Sequence, residues 1–162
     1  MEVIISVAII VSALVVSIVL VSYSVSGTTA SKTKIIATNL TQEGLEIVRN
    51  IRDNNWLVGK TGPDDGQTDW RDGLGEGQWR VQYDQQNLLS YSSAMLRKNS
   101  NGFYQYSSGS NTGFRRIITI EYDPVDDNKM KVICEVTWQE KGISRSVLVE
   151  TQLYNWYGGI IP

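Results

Sequence analysis

Glu2-Val-Ile-Ile-Ser-Val-Ala-Ile-Ile-Val-Ser-Ala-Leu-Val-Val-Ser-Ile-Val-Leu-Val21 decides how the rest of the chain is read. Of the 19 residues Val3–Val21, 16 are apolar and only Ser6, Ser12 and Ser17 are polar. No charge follows Glu2 until Lys32. At ~1.5 Å per residue the run is roughly 28 Å long as a helix, enough to cross a bilayer core. It is too long for a strand, and lipid removes the penalty that valine and isoleucine carry in an aqueous helix. The plainest reading is a single-pass anchor. A cleaved signal peptide fits less well, because no basic region precedes the run and no small-x-small site ends it.

Two features go beyond a plain anchor. Glu2 places a carboxylate at the head of the apolar run, where a charge is costly unless it reaches an interface or a partner. The helical pattern also continues past the membrane length. With Ile36 as the zero of a wheel at ~100° per residue, Thr33, Ala37, Leu40, Gly44, Ile47, Val48 and Ile51 fall within one arc of roughly 120°. Glu46, Arg49, Arg52 and Asp53 fall outside it. The sequence therefore predicts one helix from about Glu2 to Asn54, apolar all round in its first half and amphipathic in its second. Ile35 and Leu45 lie off the arc, either as scattered surface hydrophobes or as contacts to a neighbouring helix.

Further along, period-2 runs dominate. Ile118, Ile120 and Tyr122 share one parity. So do Met130, Val132, Cys134, Val136 and Trp138, and then Val147, Val149, Thr151 and Leu153. The separators Asp123–Lys129 and Glu140-Lys-Gly142 make these an antiparallel meander with one apolar face, which the amphipathic half-helix can cover. Gln78–Tyr83 is a candidate strand, and Ala94–Asn99 with Gly102–Tyr106 a loose hairpin. Ser107–Gly113 is a flexible connection. The expected class is α+β: a long N-terminal helix on a C-terminal antiparallel sheet. Its divisions are 1–28, the apolar half-helix; 29–56, the amphipathic half; 57–113, a Gly/Asp/Ser-rich region with short strands; and 114–162, the sheet and an aromatic tail containing Trp156.

Composition excludes several classes. A net charge of −2, with no basic patch interleaved with aromatics, gives no case for nucleic acid. Histidine is absent, so no nucleophile–base pair of the usual kind and no Cys/His metal site can be assembled. No enzyme and no cofactor is expected. A single cysteine, Cys134, cannot form an internal disulfide and reads as a small buried hydrophobe. The aspartates in Gly59–Gly77 and in Asp123–Lys129 read as turn chemistry, with calcium the lesser alternative. Asn39-Leu-Thr41 is a glycosylation sequon set in the middle of a helix, and carries little weight there.

The carboxylate-headed run, together with Leu40-Thr-Gln-Glu-Gly-Leu-Glu-Ile-Val-Arg-Asn-Ile-Arg-Asp-Asn-Asn-Trp56, resembles the N-terminal helix of type IV pilins and pseudopilins. The resemblance covers the first third of the chain well and the last third loosely. It implies a filament subunit, held in the cytoplasmic membrane before assembly and at the cell surface afterwards. Its partners would be copies of itself, a prepilin peptidase and the pilus assembly machinery. Assembly would run through Glu2, Val3, Ile4, Ile5, Ile9, Ile10, Leu14, Ile18 and Leu20. Ser22, Ser24, Ser26 and Gly27, poor helix formers, would be where the helix unwinds in a filament. Ile35, Leu45 and Trp156 would be subunit contacts. Alternatives are a minor pilin or pseudopilin of a secretion or DNA-uptake machine, or a membrane-anchored binding module. In the family a basic leader is removed and four residues precede the glutamate. Here Met1 alone precedes Glu2, and Lys32 and Lys34 flank the far side, which the positive-inside rule would place in the cytoplasm. A leader and further residues upstream of Met1 would resolve both departures.

Overall fold

The computed structural model describes residues 1–61 and 70–156, with side chains for all of these except 58–61. One helix, α1, spans Glu2–Thr61. Eight strands follow: β1 (Gly77–Arg80), β2 (Leu89–Ser90), β3 (Arg97–Lys98), β4 (Tyr104–Gln105), β5 (Ser110–Asn111), β6 (Arg115–Tyr122), β7 (Lys129–Glu140) and β8 (Ile143–Tyr154). The chain divides into two compact units, Met1–Ile36 and Ala37–Pro162. The fold is α+β, a long N-terminal helix whose second part lies on an antiparallel sheet.

In the second unit the main sheet has the order β2-β1-β6-β7-β8, and β4-β3-β5 forms a small sheet inserted between β2 and β6. The predicted meander is β6, β7 and β8. Lys141 and Gly142 link β7 to β8, and both have positive φ, 50° and 80°. Two such residues between the paired Glu140 and Ile143 make a tight hairpin whose twist matches the strands, and glycine takes the second place without strain. The loose hairpin predicted over Ala94–Tyr106 is the β3–β4 pair. The segment Ser107–Gly113, expected to be only a connection, contains β5, which pairs with β3. Two-residue strands lack a period-2 signal, so neighbours rather than local pattern define them.

The core is built from Leu45, Val48 and Ile51 of α1, Trp70 and Leu74 after it, and Val81, Ile118, Ile120, Met130, Val132, Cys134 and Leu153 of the sheet and its edges. Each fully buried aliphatic side chain contributes about 1.5–3 kcal/mol relative to exposure. The buried helix face runs through Ala37, Leu40, Thr41, Gly44, Leu45, Val48, Ile51 and Arg52. It is rotated about 50° from the arc expected from hydrophobicity. Leu45 is thus a core residue and not the subunit contact expected of it. Arg52, expected on the outer face, is buried too. Its guanidinium lies 4.6 Å from the Trp56 ring centre and donates to Asp53 Oδ1 at 2.8 and 2.9 Å. Gly44 lies within both arcs, and there the helix backbone comes close to the sheet.

A Cβ at Gly44 would sit 2.8 Å from Cys134 Sγ, 3.1 Å from Arg116 Cδ and 3.2 Å from Ile118 Cδ1. Beside this contact Arg116 is wholly buried. Its guanidinium donates to the Leu40 carbonyl at 3.0 Å, the Val81 carbonyl at 2.7 Å and Glu43 Oε1 at 3.1 Å. One side chain therefore ties helix, β6 and the end of β1 together, and these partners offset much of the cost of burying its charge. Burial pushes the Cys134 thiol up to about 12, against the pull of the Arg116 charge.

Two outcomes follow. Gly44→Ala should destabilise the fold by about 1 kcal/mol, since a steric cost of about 1–3 kcal/mol exceeds the helix-propensity gain of about 1 kcal/mol. In a Cys134→Ala background the same change should become neutral or stabilising. Urea unfolding in micelles, followed by tryptophan fluorescence, reads the cycle, and an unchanged sign would reject the contact as the cause. Next, the folded Cys134 keeps its proton to about pH 12, whereas an unfolded thiol loses it near 9. This group contributes nothing to the pH dependence below pH 9 and lowers stability as pH rises from 9 towards 12. Iodoacetamide at pH 8.5 should modify the urea-unfolded chain at least tenfold faster than the native one.

Candidate membrane-spanning and assembly segment

The first unit consists of helix alone. Its apolar side chains point outward all round: Val3, Ile4, Ile5, Ile9, Ile10, Leu14, Ile18 and Leu20 are all exposed. By length and composition this stretch can span a membrane. Its three serines are satisfied within the helix. Ser6 Oγ donates to the Glu2 carbonyl at 2.9 Å, Ser12 Oγ to Ile9 at 2.8 Å and Ser17 Oγ to Ala13 at 2.8 Å. Such back-bonding removes the hydroxyl donors from the helix surface, so the serines do not interrupt its apolar character. Glu2 stands in the first turn, where the exposed backbone N–H groups favour a negative charge.

The helix runs unbroken through Ser22, Ser24, Ser26 and Gly27. Just beyond, Thr28 Oγ1 and Thr29 Oγ1 donate to the Ser24 and Val25 carbonyls at 3.0 Å. The unwinding expected here concerns a filament and is not a feature of the single chain. Ile35 is 61% exposed. Trp156 is 69% exposed, yet its ring meets Trp56 of its own chain edge-on at 4.8 Å. Trp56 Nε1 also donates to Asn155 Oδ1 at 3.3 Å. The end of β8 is thereby tied to the helix end within one chain. The rest of the aromatic tail lies outside the described residues.

Other sequence-level candidates resolve as structure. Thr41 of the sequon is buried and its hydroxyl donates to the Ala37 carbonyl at 2.8 Å, so the side chain that a glycosylation sequon requires is occupied. Asp123 organises the β6–β7 turn: its Oδ1 accepts from Val125 N at 2.9 Å and Asp126 N at 3.2 Å, and its Oδ2 pairs with Lys129 at 3.2 Å. Those bonds, the backbone donation from Val125 first, hold its carboxyl below the usual range. Its lone pairs serve the turn. Among the described residues no group of three or more His, Cys, Asp or Glu side chains is placed to hold a metal ion. Residues 62–69 of the expected 59–77 loop lie outside the described residues, and 59–61 belong to α1 and not to a loop. What sequence reasoning missed is the buried polar set of Arg116, Arg52, Gln82 and Gln105. Parity alone marks Arg116, which shares the face of Ile118 and Ile120.

No protein-family model matches the chain, and comparison with curated proteins and with solved structures gives no match.

Placing lysine at both Ile10 and Leu14 should abolish membrane association, since each central charge costs about 2.5–3.5 kcal/mol on insertion. Flotation with liposomes reads this directly. Equal flotation of the double variant and wild type would show that the apolar run is not the anchor.

Proposed function

We propose that this chain is the structural subunit of a type IV pilus-like filament, polymerising through its N-terminal half-helix. The observation that carries the reading is the division of one helix into two surfaces. Residues 3–21 turn apolar side chains outward on every side, while Ala37–Arg52 bury theirs against a sheet. A plain anchor needs the first surface only. A subunit that leaves the membrane and bundles with its copies can use the same apolar surface twice, first against lipid and then against neighbouring helices. Glu2 supports the reading chemically. In an apolar filament core its carboxylate requires a cation. By resemblance to the pilin family, that cation is the N-terminal amine of a processed neighbour. Across ~4 Å such a pair is worth about 4 kcal/mol at an effective dielectric near 20, before desolvation is deducted. The pair would fix which subunit enters next and at what height. The work done is assembly and not catalysis.

Glu2→Ala should leave the chain folded and membrane-inserted but lower filament yield by at least tenfold. The comparison needs matched membrane levels, with sheared surface filaments imaged by negative stain and their subunit identified by mass. Equal yield would remove Glu2 from the mechanism. If no filament contains this chain, the membrane-anchored module becomes the better reading.

A further inference from the structure

β8 is the edge of the main sheet: it pairs with β7, and among the described residues no strand lies on its other side. All twelve of its residues stay in register with β7, without a bulge. The strand holds no proline and no glycine. The devices that usually blunt an edge are therefore few. Its two charges are both used within the chain, Arg145 pairing with Glu140 at 3.7 Å and Glu150 with Lys131 at 3.5 Å. Ile143 and Leu148 are each 56% exposed. Val147 and Val149 are only half-buried, although their partners across the ladder, Val136 and Cys134, are fully buried. Among the described residues the core face of this edge is left partly uncovered.

What covers it can be read from the strand itself. Ile143-Ser-Arg-Ser-Val-Leu-Val-Glu-Thr-Gln-Leu153 is a palindrome of apolar and polar residues centred on Leu148. Two copies joined edge to edge by a two-fold axis normal to the sheet run antiparallel and keep their core faces on the same side. Opposed residues then share a parity, so the two residue numbers sum to an even value. With Leu148 on the axis, Val147 opposes the second copy's Val149, Ile143 its Leu153, Ser144 its Gln152, Arg145 its Thr151 and Ser146 its Glu150. Apolar meets apolar, polar meets polar, and no like charges oppose. Centring on Val147 instead sets Arg145 against Val149 and Leu148 against Ser146. Centring on Val149 sets Leu148 against Glu150 and Arg145 against Leu153. Of the three registers, only the one about Leu148 matches throughout.

We propose that the β8 edge is a two-fold interface with a second copy of this chain, antiparallel and centred on Leu148. The axis reverses the direction of the helix segment that lies on the sheet. The contact therefore joins chains of opposite polarity and is separate from any contact that builds a polar filament. It does not rest on the filament reading and is tested on the full chain in micelles.

In this register the two Leu148 Cα atoms stand about 4.5–5.5 Å apart, within disulfide reach. The two Ser144 residues stand eight positions out of step, about 27 Å apart. Native Cys134 is buried and serves as an unreactive background. Under mild oxidation Leu148→Cys should give a disulfide-linked dimer and Ser144→Cys alone should not. A mixture of Ser144→Cys and Gln152→Cys chains should cross-link to each other. Sedimentation should show wild type dimerising and Leu148→Lys, which opposes like charges at an exposed site, dimerising about tenfold more weakly. A Leu148→Cys chain that stays monomeric, equal cross-linking by Ser144→Cys alone, or an unaltered Leu148→Lys dimer would each overturn the proposal.

Discussion

The helix and the sheet meet at one point where nothing larger than a hydrogen fits. Gly44 lets the α1 backbone settle onto Cys134, and the small thiol is what it settles onto. That close approach sets how near the helix backbone lies to the sheet, on a face rolled from the one hydrophobicity marks. The roll decides which residues enter the core: Leu45 and Arg52 go in, while Ile47 stays at the margin. Beside Gly44 runs the buried side chain of Arg116. The guanidinium reaches carbonyls of α1 and of the end of β1 at once, which no aliphatic side chain could satisfy. Packing and hydrogen bonding are thus one constraint here, and loss of either partner disturbs both.

The same helix obeys two different solvents. From Ile5 to Val21 the backbone is bonded within the helix and the serines bond back to it, so the surface is apolar. From Ala37 onward a buried stripe alternates with charged residues such as Glu46 and Arg49, which pair with each other at the surface. An apolar helix has no reason to choose one side, and so it suits lipid or a bundle of its own kind. An amphipathic helix must choose, and the sheet supplies the choice.

The edges of the sheet carry a complementary lesson. On the β1 side the small sheet and Gln82, which accepts from Tyr106 N at 2.8 Å, close the structure with polar bonds. On the β8 side no such closure exists among the described residues. Asn155 bonds Asn128 and Trp56 at the strand's end only. A long regular strand left open along its length is a surface for another chain, and its palindromic pattern says which chain.

Sequence alone determined the elements whose signal is local. The apolar run, the amphipathic continuation, the three period-2 strands and the Lys141-Gly142 turn follow from side-chain periodicity and backbone preference, each read over a few residues. Tertiary structure decided what depends on a partner distant in the chain. The close seat of α1 on the sheet depends on Cys134, 90 residues beyond Gly44. The strands β2 and β5 exist because β1 and β3 are there to pair with them. Arg116 is buried because carbonyls from two other elements converge on it, and Leu45 is core because the sheet reaches round to it. Hydrophobicity gives the sector of a helix that is buried, but only the shape of the opposing surface fixes its centre.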